Sequence, residues 1–244
     1  MRRAAAARLL RARPPRRSFG HAQGPNSKRA LGPGALPAAP VLDAADAAAR
    51  PLLHVVLVNP DIPTNTGAAG RTCLGFGARL HVVEPLGFEL TDSRVKRAGL
   101  DYWEHVGCVQ HASWEHLVAH LTAPPHCVDP RSFFFVTKFA DTSICDVGFF
   151  DGSAAGQDVA PVALVFGSET KGLTAVQEDA AYRAGATIGL PMLNTEVLRS
   201  FNLSTSVAIV LWEAFRQLTA SLLTRSNSNA QRTCTDQVIS ISQR

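Results

Sequence analysis

Residues 52–58, Leu-Leu-His-Val-Val-Leu-Val, form an apolar, β-branched run that stops at Asn59-Pro60. A strand of this composition has no face to give to water and needs cover on both sides. Strand character recurs at 80–83, 105–109, 132–138, 162–166 and 186–190. Helical patterns alternate with these runs: 64–78, with Thr64-Asn-Thr-Gly67 as cap and turn; 92–100; 114–121, ended by Pro124-Pro125; 174–183; and 201–219. In the last of these Val207, Val210, Leu211, Ala214, Phe215 and Leu218 fall on one stripe at 3.6-residue spacing. The alternation predicts an α/β fold: a single domain, residues 51–222, with a parallel sheet flanked by helices on both faces.

Charge divides the chain. Residues 1–42 hold nine Lys/Arg and no acid, whereas the remainder holds 15 Lys/Arg against 20 Asp/Glu. The basic balance therefore belongs to the leader and does not mark a nucleic-acid patch on the folded body. An Arg- and Ala-rich, acid-free start predicts a transit peptide, and hence an organellar protein of mitochondrion or plastid. The other reading of residues 1–50 is a disordered basic arm that touches RNA. Residues 20–50 read as a linker, and the polar segment 223–244 as a disordered tail.

Five cysteines are scattered with no CxxC pair, and the eight histidines are dispersed without metal-ligand spacing, so no metal is expected. No apolar run reaches about 18 residues, and Glu213 and Arg216 interrupt the last helix, so no membrane partner is expected. There is no Gly-x-Gly-x-x-Gly after the first strand. Gly167-Ser-Glu-Thr-Lys-Gly172 lacks the spacing of a phosphate-binding P-loop, and Ser168 lacks the setting of a hydrolase nucleophile.

Polar groups instead gather at three strand-to-helix junctions, 59–71, 166–173 and 190–204, where α/β proteins build ligand sites. Arg71 carries a planar fork of donors suited to a phosphate or to an oxygen gaining charge. Read from spacing alone, it is either that group or a surface arginine closing a salt bridge.

The junctions resemble the three signature motifs of the SpoU branch of the SPOUT RNA methyltransferases. Asn59-Pro-Asp-Ile-Pro-Thr-Asn-Thr-Gly-Ala-Ala-Gly-Arg71 is similar to motif one, and Leu164-Val-Phe-Gly-Ser-Glu-Thr-Lys-Gly-Leu173 to motif two. Leu190-Pro-Met with Arg199-Ser-Phe-Asn-Leu-Ser204 and Trp212-Glu-Ala-Phe-Arg-Gln-Leu218 is similar to motif three. Leu80-His-Val-Val-Glu-Pro-Leu-Gly-Phe88 and Lys96-Arg-Ala-Gly-Leu-Asp-Tyr102 further resemble the small tRNA 2′-O-methyltransferases that modify the pyrimidine at wobble position 34.

The resemblance implies a C-terminal deep trefoil knot, S-adenosyl-L-methionine as methyl donor, tRNA as substrate and a homodimer. Carried over by position, the cofactor contacts are Phe135, Gly167, Glu169, Leu190, Met192, Ser200 and Leu203. Arg71 would engage the ribose 2′-hydroxyl and Asn202 would support the loop or that arginine. Asn65, Arg94, Lys96, Arg97 and Lys138 are the expected RNA contacts. The motifs describe cofactor and hydroxyl rather than the RNA, so another tRNA or rRNA site, or a non-catalytic RNA-binding relative, stays open at this point.

The chain departs from the family at Ala68 and Gly70, expected to loosen the first helix, and in a longer 193–198 loop. It also has Trp212 where close relatives carry Tyr.

Overall fold

The structure, a computed structural model, describes residues 51–90, 95, 100–150, 159–184 and 187–242, with side chains of the final helix as far as Thr224. The leader, most of the expected 92–100 helix, and with it Arg94, Lys96 and Arg97, lie outside the described residues.

Seven strands form one parallel sheet: β1 (Leu53–Val58), β2 (Arg79–Val83), β3 (Cys108–His111), β4 (Phe133–Val136), β5 (Thr142–Ser143), β6 (Val162–Phe166) and β7 (Thr187–Gly189). Their order is β3-β2-β1-β6-β4-β7-β5. The described α-helices are α1 (Pro63–Phe76), α2 (Trp114–Thr122), α3 (Ala175–Ala184) and α4 (Leu203–Ser242). Helices α1 and α4 pack together on one face of the sheet, while α2 and α3 cover the other.

The period-two alternation of β1 explains both layers. Leu53, Val55 and Leu57 enter the core under α1 and α4, and Val56 and Val58 enter the core under α2 and α3. All six β1 residues are buried.

On α4 the expected stripe is present: Val207, Val210, Leu211, Ala214 and Leu218 are buried against the sheet. Each such Val or Leu contributes roughly 1.5–3 kcal/mol by leaving water. By length and composition alone, 203–224 is apolar enough to cross a membrane. In the fold this segment is a core helix with one face on β1, β6 and α1. The helix continues to Ser242, through the segment whose composition predicts a tail.

Several boundaries differ from the sequence reading. Helix α1 starts with Pro63 in its first turn and Ile62 at the cap, with no side-chain cap of its own, so the Thr64–Gly67 segment lies inside the helix. Proline suits the first helical position because its missing N–H would have had no partner there. Strand β3 begins at Cys108, after a 3-10 turn at Leu100–His105. Pairing with β2 starts at Leu80 opposite Cys108, and Gly107 sits against the Arg79 guanidinium, so the chain joins the sheet only beyond that point.

Gly70 does not simply loosen α1. A Cβ there would lie 2.7 Å from the Trp103 ring, so the missing side chain lets the indole pack on the helix. The two-residue β5 has no apolar signal in the sequence. It is a short polar edge strand paired to β7.

Candidate active site

Strand order places the site. β1 and β6 are neighbours, yet β1 leads outward through α1 to β2, on the opposite side of the sheet from β4, β7 and β5. Ligands in open α/β sheets bind outside the carboxyl ends of strands at such a reversal. The chain leaves β1 through Asn59, whose φ of 48° is a left-handed turn that asparagine tolerates.

A cavity of about 480 Å³ opens at this edge, a size suited to a small organic cofactor. Four consecutive strands deliver its walls through the segments that follow them. After β1 come Ile62 and Asn65; after β6, Gly167 and Glu169; after β4, Thr137 and Lys138; after β7, Leu190 and Met192. Ser200, Asn202 and Leu203, at the start of α4, close it.

A chain of hydrogen bonds ties three of these segments. The Asp61 and Ile62 amides donate to the Glu169 carboxylate at 2.8 and 3.3 Å. Asn65 Nδ2 donates to the same carboxylate at 2.9 Å. Glu169, more than 100 residues away in the chain, thus supplies the anionic cap that α1 lacks locally. Asn202 Nδ2 donates to Asn65 Oδ1 at 2.9 Å. Asn202 Oδ1 accepts from the Ser204 amide at 2.9 Å and the Ser204 hydroxyl at 2.7 Å, capping α4.

The Gly167 turn is equally constrained. Ser168 and Gly172 exchange two backbone hydrogen bonds of 2.9 Å, and Gly172 has a φ of 74°. A Cβ on Gly167 would lie 2.0 Å from the Gly172 carbonyl carbon.

This geometry has known counterparts. The SpoU rRNA Methylase family matches residues 52–212. A tRNA (cytidine(34)-2′-O)-methyltransferase of Burkholderia cenocepacia is 41% identical over 166 residues, 68% of this chain and 96% of the relative. The chain belongs to the SpoU methylase family.

A solved structure reported for the 2-OH methylation of C/U34 on tRNA is 34% identical with a TM-score of 0.56, covering 69% of this chain and 97% of that one. The methyltransferase AviRb of Streptomyces viridochromogenes, solved with AdoMet, shares the fold at 22% identity and a TM-score of 0.56. That match covers 67% of this chain and 57% of AviRb.

Against that family, the residues named from sequence fall into groups. Gly167, Glu169, Leu190, Met192, Ser200 and Leu203 all line the cavity. Phe135 does not. It is buried in the core beside Phe133 and against Trp114, on the α2–α3 face, while its neighbours Val136 and Thr137 reach the cavity.

Lys138 is exposed at the cavity wall with its ammonium 4.8 Å from the Phe139 ring centre. Asn65, expected to meet RNA, is buried with both amide atoms engaged between Glu169 and Asn202. Arg71 is exposed, stacked 5.3 Å over the Tyr102 ring, and does not line the cavity. It stands six residues beyond Asn65 on α1, about 9 Å along the axis.

Sequence reasoning missed a second cluster. His54, His81 and His111 step diagonally across β1, β2 and β3 on the α2 face, and His116, His120 and His126 meet them from α2 and the segment after it. Burial pushes the His54 imidazole down to about 3 and His111 to about 4, with neighbouring histidines adding to both shifts. His81 is held well below its ordinary value, first by burial and then by repulsion from the other rings. Linear spacing could not reveal this group, because strand pairing and not chain proximity assembles it.

Proposed function

We propose that this protein transfers a methyl group from S-adenosylmethionine to the ribose 2′-hydroxyl of nucleotide 34 of a tRNA. The observation that carries the reading is the joint one. A cavity bounded by all three motif segments occurs in a chain that covers 96% of a relative named for that reaction at 41% identity. When bound, S-adenosylmethionine supplies an electrophilic methyl group. The cavity fits such a molecule, with Leu190, Met192 and Leu203 as apolar walls and the tightly turned Gly167 segment opposite.

The work left to the protein is alignment and charge stabilisation. Positioning of reactants accounts for up to ~7–11 kcal/mol of a barrier. The Glu169–Asn65–Asn202 hydrogen bonds lock the three segments in one arrangement, so the cavity is shaped before a ligand arrives. Arg71 is the group assigned to the ribose oxygen, as a positioning and electrostatic residue. A guanidinium holds its proton too firmly to serve as a general base. Lys138, exposed at the rim, is assigned to the RNA backbone.

Three further features belong to this reading. The segment comprising β7, the 190–202 loop and the start of α4 is the part proposed to thread as a trefoil knot. The leader is proposed to direct the protein to an organelle.

The functional unit is proposed to be a homodimer formed through α1 and α4. In the single chain that face leaves Leu74, Ile209 and Trp212 40%, 39% and 52% exposed, beside the Phe76–Trp212–Phe215 aromatic group. Apolar side chains grouped at this scale mark an interaction surface. Light scattering is expected to give twice the chain mass, and Trp212→Glu to shift it to the monomer.

The central test is methyl transfer by the purified chain to organellar tRNA, mapped by mass spectrometry. New 2′-O-methyl at position 34 is expected. Transfer confined to other riboses would replace the substrate, and failure to bind S-adenosylmethionine would remove the enzyme.

A further inference from the structure

We propose that His81, His111 and His120 form a binding site for one divalent transition-metal ion of the zinc class, remote from the methyl-transfer cavity. One ring nitrogen from each of the three lies within 4.8 Å of the others. His81 Nδ1 and His111 Nε2 face each other at 3.0 Å. With zinc–nitrogen bonds of about 2.0–2.1 Å, two ligands on a tetrahedral ion stand about 3.3 Å apart, so this pair already spans one edge of the polyhedron. His120 enters from α2, one turn beyond His116, with its ring centre 5.1 Å from that of His111. To complete the three-ligand set, the His120 nitrogen has to close from within 4.8 Å to about 3.3 Å of the other two.

The hydrogen bonds among the rings define the tautomers that binding requires. His54 Nδ1 meets His81 Nε2 at 3.0 Å, so the three strand histidines form a ladder of two contacts. A neutral imidazole has one N–H and one lone pair. Whichever way the protons run, such a ladder ends in an unpaired N–H on one side and an unpaired lone pair on the other. His54 Nε2, His111 Nδ1 and His126 Nδ1 are buried without partners. His54 Nε2 and His111 Nδ1 are not the coordinating atoms, so with an ion bound both carry their N–H protons.

An ion between His81 Nδ1 and His111 Nε2 takes a lone pair from each. It frees His81 Nε2–H to donate to His54 Nδ1, which fixes tautomer and ring orientation in the way that supporting partners of metal-bound histidines do. The fourth position falls to water or to His126, whose ring centre is 4.7 Å from that of His120. Neutral imidazoles suit Zn(II), Cu(II), Ni(II) and Co(II), whereas Mg(II) and Ca(II) prefer oxygen donors.

The Arg79 guanidinium bears electrostatically on His54, His120 and His126 and opposes a cation. Affinity therefore has to come from direct coordination. Among the described residues no histidine lines the methyl-transfer cavity, so the role is to clamp β2, β3 and α2 together.

The test uses the tag-free full-length chain, stripped with EDTA and titrated with Co(II), then with Zn(II) in competition. Expected are one equivalent bound, the visible absorption of tetrahedral cobalt, its loss on adding zinc, and a Tm rise of about 5–10 °C in excess zinc. His120→Ala changes a half-buried helix residue and should keep the fold by circular dichroism while weakening cobalt binding at least tenfold. His111→Ala should do the same, and His105→Ala, outside the cluster, should bind like the parent. Absence of cobalt binding, or unaltered binding by folded His120→Ala, overturns the proposal and leaves a metal-free imidazole ladder. Methyl transfer is not a readout, so its failure has no bearing on the result.

Discussion

Arg71→Ala is expected to lower kcat by about 10²–10³-fold, the loss typical when one preorganised donor to a developing oxyanion is removed. Affinity for S-adenosylmethionine should stay within a few fold, because Arg71 is not among the residues that line the cavity. Its side chain is exposed and rests on Tyr102, so truncation should hardly touch stability.

That combination separates it from the residues that shape the site, whose loss would reduce binding and turnover together. Arg71→Lys should recover little, since an ammonium lacks the planar fork that grips two oxygens at once. Single-turnover methyl transfer with calorimetry on the same preparations checks both halves. A variant that turns over normally would return Arg71 to the surface-arginine reading.

Gly167→Ala is the second large effect, and it should act through binding. The added carbon would sit 2.0 Å from the Gly172 carbonyl carbon and 2.2 Å from the Leu173 nitrogen. Both are backbone atoms held in place by the paired Ser168–Gly172 hydrogen bonds, so the clash cannot be relieved by a side chain swinging away. The turn must open, at a cost of about 1–3 kcal/mol or more. The opening displaces Glu169, which caps α1 through Asp61, Ile62 and Asn65.

S-adenosylmethionine affinity is expected to fall more than about tenfold, since ~1.4 kcal/mol of distortion is enough for that. The melting temperature should fall by about 2–4 °C per kcal/mol lost. Gly75→Ala is the contrasting control. It lies on α1 beyond the motif-one segment, and a Cβ there meets nothing within 4 Å. It should stabilise by up to about 1 kcal/mol, because alanine suits a helix interior better than glycine. Equal behaviour of the two variants in calorimetry and thermal melts would remove the steric argument.

The layered α/β sheet was readable because its signal is local. The β-branched run at 53–58, the apolar stripe from Val207 to Leu218 and the turn residues between such segments each fix an element by its own periodicity. Boundaries were less legible where a distant partner decides them. The start of α1 depends on the Glu169 carboxylate, and the start of β3 on pairing with Leu80 and the presence of Arg79 beside Gly107.

Glu169, Ser200 and Leu203 were reachable through the motif resemblance, and the cavity does unite them. The side chain of Phe135 faces the α2–α3 core, while Val136, next in the strand, lines the cavity, as the period of two requires.

Amino-acid order alone determined the parallel sheet, the helices that cover it and the three polar junctions, because hydrophobic period and turn chemistry act over a few residues. Only tertiary structure decided that Asn65 is a buried link, that Arg71 stands outside the cavity on Tyr102, and that six scattered histidines meet on one face. Those facts depend on which strands are neighbours and in what register. That is settled by the packing of the whole chain.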